Sequence, residues 1–485
     1  MQQLSALDAQ FLNIEDSVTT GHIASLTIVD PSTAADPDGW GLDAVRDMLE
    51  PRLSLAAPFR QKLAEVPLGL GRPFWVDDDQ FDIEYHLREI ALPAPGSDRM
   101  LAEQISRIHA RPLDRRRPLW EAYVITGLEG GRAAFYCKIH HAAIDGVSGG
   151  EILEQIFDLT PEPREVEPEP FGGTAEPGEG RLLRRGLWSL ATLPLDLALT
   201  VPRELPYLAS IPGLQQVPGV KLVSGVAGVL GRVLGQDPLP DRSAMKVPDT
   251  PLNGEITPHR RFAFGSVDLA DVKKVKDAYG ATVNDVVMTM TAAALRRWLL
   301  DHDALPSIPL VAAVPVSVRT GDSGDGGAPG NEVSVMLAQL PTHLRDPRER
   351  LEFTAEAMQS AKARFDPMPA TLMTDMAKAL PMGLNGLAAR TIFRLGLQLT
   401  GLPFNLFVSN VPGPQTEMYV AGAQVQGIYP VSAISELSGA LNVTLFSYNG
   451  AVDFGLVADR TRMPDVWKAT DYLREALEEL VATIE

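Results

Sequence analysis

The sequence predicts a mixed α/β (α+β) protein built in two halves, and three observations lead there. Helix-spaced and strand-like segments alternate along the whole chain, the pattern of helices packed on sheets. At 485 residues the chain exceeds what one core ordinarily organises. After residue 159 the composition turns to Pro, Glu and Gly, "TPEPREVEPEPFGGTAEPGEG", which reads as a mobile linker. The expected division is 1–160, a connection over 161–259, and 260–485.

The elements follow in order. "HIASLTIVD" mixes apolar and β-branched residues and predicts a strand over Ile23–Val29. Helices are expected near Leu42–Leu53 and from the N-cap Ser97 to about Ala110. "LWEAYVIT" and "RAAFYCKIH" predict two strands joined by the turn Glu129-Gly130-Gly131. "GGEILEQIFDL" then returns to helical spacing. In the connection, residues 181–236 begin with Arg181, Arg184, Arg185 and Trp188, continue with many leucines and are cut by prolines. Two readings stand for that segment: helices packed across the junction, or a membrane-surface element. In the second half "RFAFGSVDL" predicts a strand and "LADVKKVKDAYG" a helix closed by Gly280. "TVNDVVMTMTAAALRRWLLDHD" is apolar nearly all round and predicts a buried helix. Six strand-like runs follow, from "IPLVAAVPVSV" through "MYVAGAQVQGI" to "AVDFGLVAD", and a last helix starts near Asp465.

Composition narrows the function. A net charge of −19 would repel a phosphate backbone, so no nucleic-acid partner is expected. The single cysteine, Cys137, forbids an internal disulfide and a cysteine zinc site, and a buried apolar role is expected for it. "MQQLSALDAQFL" lacks a basic n-region, so no signal peptide is expected, and no apolar run reaches the length of a bilayer span.

Two reactive signatures overlap in "CKIHHAAIDGVSGG". His140-His141 to Asp145-Gly146 reads H-H-x-x-x-D-G, and Gly146 to Gly150 reads G-x-S-x-G around Ser148. With eight histidines in the chain, the first pattern arises by chance in roughly one chain in a thousand, the second far more often. In a strand the two histidines point to opposite faces, so one can face a cleft while the other is packed, and a shared metal is disfavoured. A neutral imidazole can take the proton of a hydroxyl attacking a carbonyl. Asp145 could orient a ring or lock the loop, and Gly146 would admit a substrate close to the backbone. A serine nucleophile at Ser148 would need a later histidine, and His259, His302 and His343 offer no compelling partner. The histidine base is the stronger reading.

The sequence resembles the bacterial wax ester synthase/acyl-CoA:diacylglycerol acyltransferase family, of the actinobacterial triacylglycerol synthase type. The resemblance runs through "LSALDAQFL", "RPLW" (117–120), "KIHHAAIDG", "TVNDVV" (282–287), "PVSVR", "GNEVSVMLAQLP" and "SNVPGP" (409–414). It implies two chloramphenicol-acetyltransferase-like subdomains with the active site in a tunnel between them. It also implies His141 as general base, with His140, Asp145 and Gly146 completing the motif, and direct acyl transfer without an acyl-enzyme. Asn284 and Asp285 are implied as active-site support, though helix capping would explain both. Trp120 stands as substrate contact or core, and Ser148, the Gly146 amide or Asn284 as oxyanion donor. Arg115, Arg116 and Arg117 are either a site for CoA phosphates or a solvated turn. The expected co-substrate is acyl-CoA with diacylglycerol or a fatty alcohol as acceptor, without a permanently bound cofactor or a metal. A cytoplasmic enzyme at the inner membrane face or lipid-droplet surface follows. A carrier-bound acyl donor, a serine esterase using Ser148 and a non-catalytic lipid binder are the alternatives.

Overall fold

A computed structural model describes residues 2–144, 149–167, 178–188, 245–317, 333–365, 404–436 and 438–484. Asp145, Gly146 and Ser148, and residues 168–177 and 189–244 of the connection, lie outside these residues.

Two six-stranded sheets carry the fold. The first runs Tyr419–Val420, Ala423–Val431, His22–Asp30, Ala133–His140, Trp120–Thr126, Leu87–Ala91. The second runs Val333–Leu340, Leu310–Ser317, Leu406–Pro412, Leu441–Tyr448, Ala451–Asp459, Arg260–Asp268. A small third sheet joins Gln2–Gln3, Phe74–Asp77 and Gln61–Ala64. Most pairings are antiparallel; Leu87–Ala91 lies parallel to Trp120–Thr126, and Leu406–Pro412 parallel to both its neighbours. All eight residues of Ala133–His140 are buried, because both faces of its sheet are covered. Phe135, Cys137 and Ile139 face one core, while Ala134 and Tyr136 face the core beneath the helix Asp98–His109. Burial pushes the Cys137 thiol up to about 12, the state of an inert core residue.

"MYVAGAQVQGI" reads as one strand in sequence, yet it is a hairpin. Ala421 and Gly422 both take positive φ, 48° and 81°, which turns the chain in two residues. The longer arm, Ala423–Val431, then leaves the second half and pairs with His22–Asp30 of the first. A bulge at Val425–Gly427 frees the Ile428 amide, which donates to Asp453 Oδ2 of the second sheet at 2.7 Å. Burial raises the Asp453 carboxyl to about 6, although this bond and one from Ser266 favour its charged form. The two sheets are thus joined by main chain and by a buried carboxylate.

The helices obey their caps. Gly280 closes Leu269–Tyr279 in the left-handed conformation at φ 65°, as its position predicts. Val283–Asp301 is buried along nearly its whole length between the second sheet and the helices Pro347–Phe365 and Val466–Ala482. The helix expected over Leu42–Leu53 is α-helical only to Leu49; Pro51 enforces a tighter 3-10 continuation. The C-terminus of Asp98–His109 is held from below by the first sheet. His22 Nε2 lies 2.5 Å from His109 O, and Lys138 Nζ donates to Ile108 O and Arg111 O at 3.2 and 3.0 Å. Burial draws the Lys138 amine down to about 8 against the support of Glu121. No helix among the described residues is long and apolar enough to cross a membrane.

Candidate active site

The strand Ala133–His140 ends at the histidine pair, and the chain turns there. His140 is its last residue, paired with His22 across the sheet; His141 opens a 3-10 turn, His141–Ala143. The simple alternation expected for two strand residues therefore does not place His141. The cause is local: His140 Nδ1 accepts the Ala142 amide at 3.0 Å and caps the turn with its own side chain. Because Nδ1 accepts, the ring proton of His140 belongs on Nε2. That nitrogen lies 3.2 Å from Glu15 Oε1.

Glu15 is the centre of a small frame. Its Oε1 accepts the Gly21 amide at 2.7 Å, and its Oε2 accepts Arg115 Nη2 at 2.8 Å. Burial by itself would raise this carboxyl, but His140, the Gly21 amide and Arg115 outweigh it and hold it at about 2. Gly21 serves both histidines. Its carbonyl accepts the His141 amide at 2.8 Å, and a Cβ on it would sit 2.8 Å from His140 Nε2 and 2.9 Å from Phe11 O. Only glycine leaves room for the ring there. The second half pins the same loop, since Arg260 donates to Val18 O between Glu15 and Gly21.

His141 stacks on Phe11, with ring centroids 4.3 Å apart and planes 13° from parallel. Its Nδ1 is buried without a hydrogen-bond partner among the described residues. Burial first, then the neighbouring His140, lower its imidazole to about 4. At neutral pH it is an uncharged ring, fixed through its backbone by Gly21 and through its face by Phe11. That is the state a proton acceptor needs.

The remaining expected residues fall in three places. Asp285 is 7% exposed and closes a capping box: Thr282 N and Oγ1 donate to its Oδ2 at 2.9 and 2.7 Å, and its amide donates back at 3.1 Å. Asn284, beside it, lies 3.5 Å from Asn410 Nδ2, so the N-D and S-N-V-P-G-P motifs meet in the second half. No hydrogen bond among the described residues joins this pair to His141. Trp120 is fully buried, donates to Phe59 O at 2.9 Å and stacks on His86. Of the three arginines, Arg115 serves Glu15 and Leu12 O, Arg116 forms a forked pair with Asp114 at the surface, and Arg117 lies 3.9 Å over the Tyr85 ring.

Phe11, Glu15 and Gly21 escaped the sequence reading. They lie about 120 residues before the histidines, and no spacing rule links them. Only Phe11 falls in a stretch, "LSALDAQFL", that carried any signal.

The two sheets sharing an exchanged strand form a fold that recurs in a solved condensation domain. The first condensation domain of the calcium-dependent antibiotic synthetase has this fold, with a TM-score of 0.54 over 99% of this chain and 96% of that one, at 16% identity. The chain itself belongs to the wax ester synthase/diacylglycerol acyltransferase family. Residues 4–287 match the family's catalytic domain and residues 329–481 its C-terminal domain. It is 36% identical to "Probable diacyglycerol O-acyltransferase tgs2" of Mycobacterium tuberculosis, over 98% of this chain and 97% of that one. It is 33% identical to "O-acyltransferase WSD" of Acinetobacter baylyi, over 99% and 96%. The wax ester synthase/diacylglycerol acyltransferase of Marinobacter aquaeolei VT8 superposes over the full length of both chains, with a TM-score of 0.70 at 32% identity. The protein is an acyltransferase.

Proposed function

We propose that the protein transfers a long acyl chain from acyl-CoA to the hydroxyl of diacylglycerol or a long-chain alcohol, with His141 as general base. The observation that carries the reading is the neutral, part-buried His141 ring, stacked on Phe11 and held by Gly21. The acceptor hydroxyl loses its proton to His141 as its oxygen attacks the thioester carbon. The C–S bond then breaks, and the proton passes to the departing CoA sulfur. The products are an oxyester and free CoA, with no acyl-enzyme. The Glu15 carboxylate lies 3.2 Å from His140 Nε2 and belongs to the frame that holds the histidine turn. Of the three arginines proposed to meet CoA phosphates, Arg116 is the exposed one, while Arg115 is engaged by Glu15 and Arg117 is half-buried over Tyr85. Both substrates are lipids, so we place the enzyme at a lipid surface on the cytoplasmic side.

The test is thiol release from palmitoyl-CoA with and without diacylglycerol or hexadecanol. Release by the parent should depend on the acceptor, and His141→Ala should cut it by about 10²–10⁴. Acceptor-independent release that survives in His141→Ala and vanishes in Ser148→Ala would mean a serine esterase instead.

A further inference from the structure

We propose that residues 179–188 and the Pro67–Gly69 turn form a surface that docks the protein on an anionic lipid bilayer. The proposal rests on the acyltransferase reading and says where the enzyme would meet its substrates. Residues 179–188 are helical, and Leu182 anchors them in a small core with Ala64, Val66, Phe74 and Val76. Gly186 presses the helix onto this core, since a Cβ there would come within 2.8 Å of Val66 Cγ1 and 3.0 Å of Leu70 Cβ. With Leu182 and Gly186 turned inward, the neighbouring side chains are committed outward. Leu187 and Trp188 are 53% and 73% exposed. Leu68, in the turn between Val66 and Leu70, is 85% exposed and holds a left-handed φ of 60°. An outward leucine in that conformation gains nothing from folding. Half of the six exposed large hydrophobic side chains among the described residues therefore gather here.

Charge selects the occupant. Arg181, Arg184 and Arg185 are all exposed on the same short helix, Arg185 lying 5.3 Å over the Phe74 ring. Among the described residues, Glu179 at the start of the helix and Glu65 before the turn are acidic and exposed. An apolar tip with a tryptophan, ringed by arginines, is the composition of an interfacial element. The chain as a whole carries −19, so a face with three exposed arginines stands out against a surface that anionic headgroups repel on balance. A two-fold contact with a second copy would instead set arginines against arginines. The same turn lines a cavity of about 270 Å³ together with Ala9, Leu12 and Arg115. Ala9 and Leu12 belong to the helix that carries Phe11, so docking would bring the bilayer to a cavity one helix away from His141.

The experiment is flotation of the full chain with phosphatidylcholine vesicles and with vesicles of equal parts phosphatidylcholine and phosphatidylglycerol, at low and high salt. The parent should bind the anionic vesicles selectively and release them as salt rises. Replacing all three arginines by glutamine should weaken binding roughly a hundredfold, about fivefold for each charge. The pair Leu187→Ser and Trp188→Ser should weaken it on its own, with an unchanged melting midpoint and unchanged CoA release in detergent micelles. Equal binding of the parent to both vesicle types, or parental binding by the arginine-free variant, overturns the proposal. So does sedimentation showing that these substitutions split a dimer while vesicle binding stays intact. A parent that binds anionic vesicles selectively but releases no CoA would support this surface and refute the acyltransferase reading alone.

Discussion

Glu15→Gln is the perturbation that tests the frame behind the histidines. The amide is nearly isosteric, but it places an NH2 where the parent has an acceptor. Glu15 meets two strong donors, the Gly21 amide at 2.7 Å and Arg115 at 2.8 Å, so one of them must face a donor in the variant. The carboxyl drops from 4.5 to about 2 on folding. A carboxyl lowered that far corresponds to roughly 3 kcal/mol of stability at neutral pH. The sign follows from the depressed value: the contribution is complete above the unfolded pKa near 4.5 and is lost as pH falls through about 2. Urea unfolding of parent and variant should therefore differ by about 3 kcal/mol at pH 7, and the gap should close in strong acid. Gly21 also holds the His141 backbone, so kcat for CoA release should fall about ten- to hundredfold with little change in KM. If the variant keeps parental stability and kcat at pH 7, Glu15 is a bystander and the positioning argument fails.

Three further outcomes follow from the same geometry. Phe11→Ala uncovers His141, so the acid limb of kcat/KM should move from about pH 4 toward 6.5; an unmoved limb would mean that Phe11 does not set the low value. Gly21→Ala forces a Cβ to 2.8 Å from His140 Nε2, and calorimetry should show a loss of about 1–3 kcal/mol together with lower activity, whereas an unaltered melting midpoint would mean the ring has room to move. Asp453 has the opposite linkage to Glu15. Its folded value is raised from 3.8 to about 6, so ionising it costs stability as pH rises through that window, by roughly 3 kcal/mol in total. Relative to the parent, Asp453→Asn should gain stability between pH 4 and 7 in urea titrations, and a pH-independent difference would rule out a buried charge there.

The histidine pair was legible because its signal is local. H-H-x-x-x-D-G is rare by composition, and the residue types state their chemistry. Thr282 with Asp285 was equally legible, since a capping box is a relation between residues three apart. The Ala423–Val431 run was legible as strand but not as partner, because alternation fixes which face is buried and says nothing about which edge accepts the strand. Trp120 shows the reverse case. Its motif suggested either substrate contact or packing, and only its contacts with Phe59 and His86 place it in the core.

By itself, then, the sequence determined the alternating α/β character, the caps and turns, the family and the rare histidine motif, all of which rest on neighbours in the chain or on rare residue combinations. The tertiary structure alone decided that the strand ends at His140 rather than running through His141, and that Glu15, Gly21 and Arg115 surround the pair. It alone decided that a strand from the second half completes the first sheet. Apart from the strand end, which the His140 side chain sets within two residues, those relations span about 100 to 400 residues of chain, and they arise from packing and hydrogen-bond satisfaction in three dimensions, for which no one-dimensional period exists.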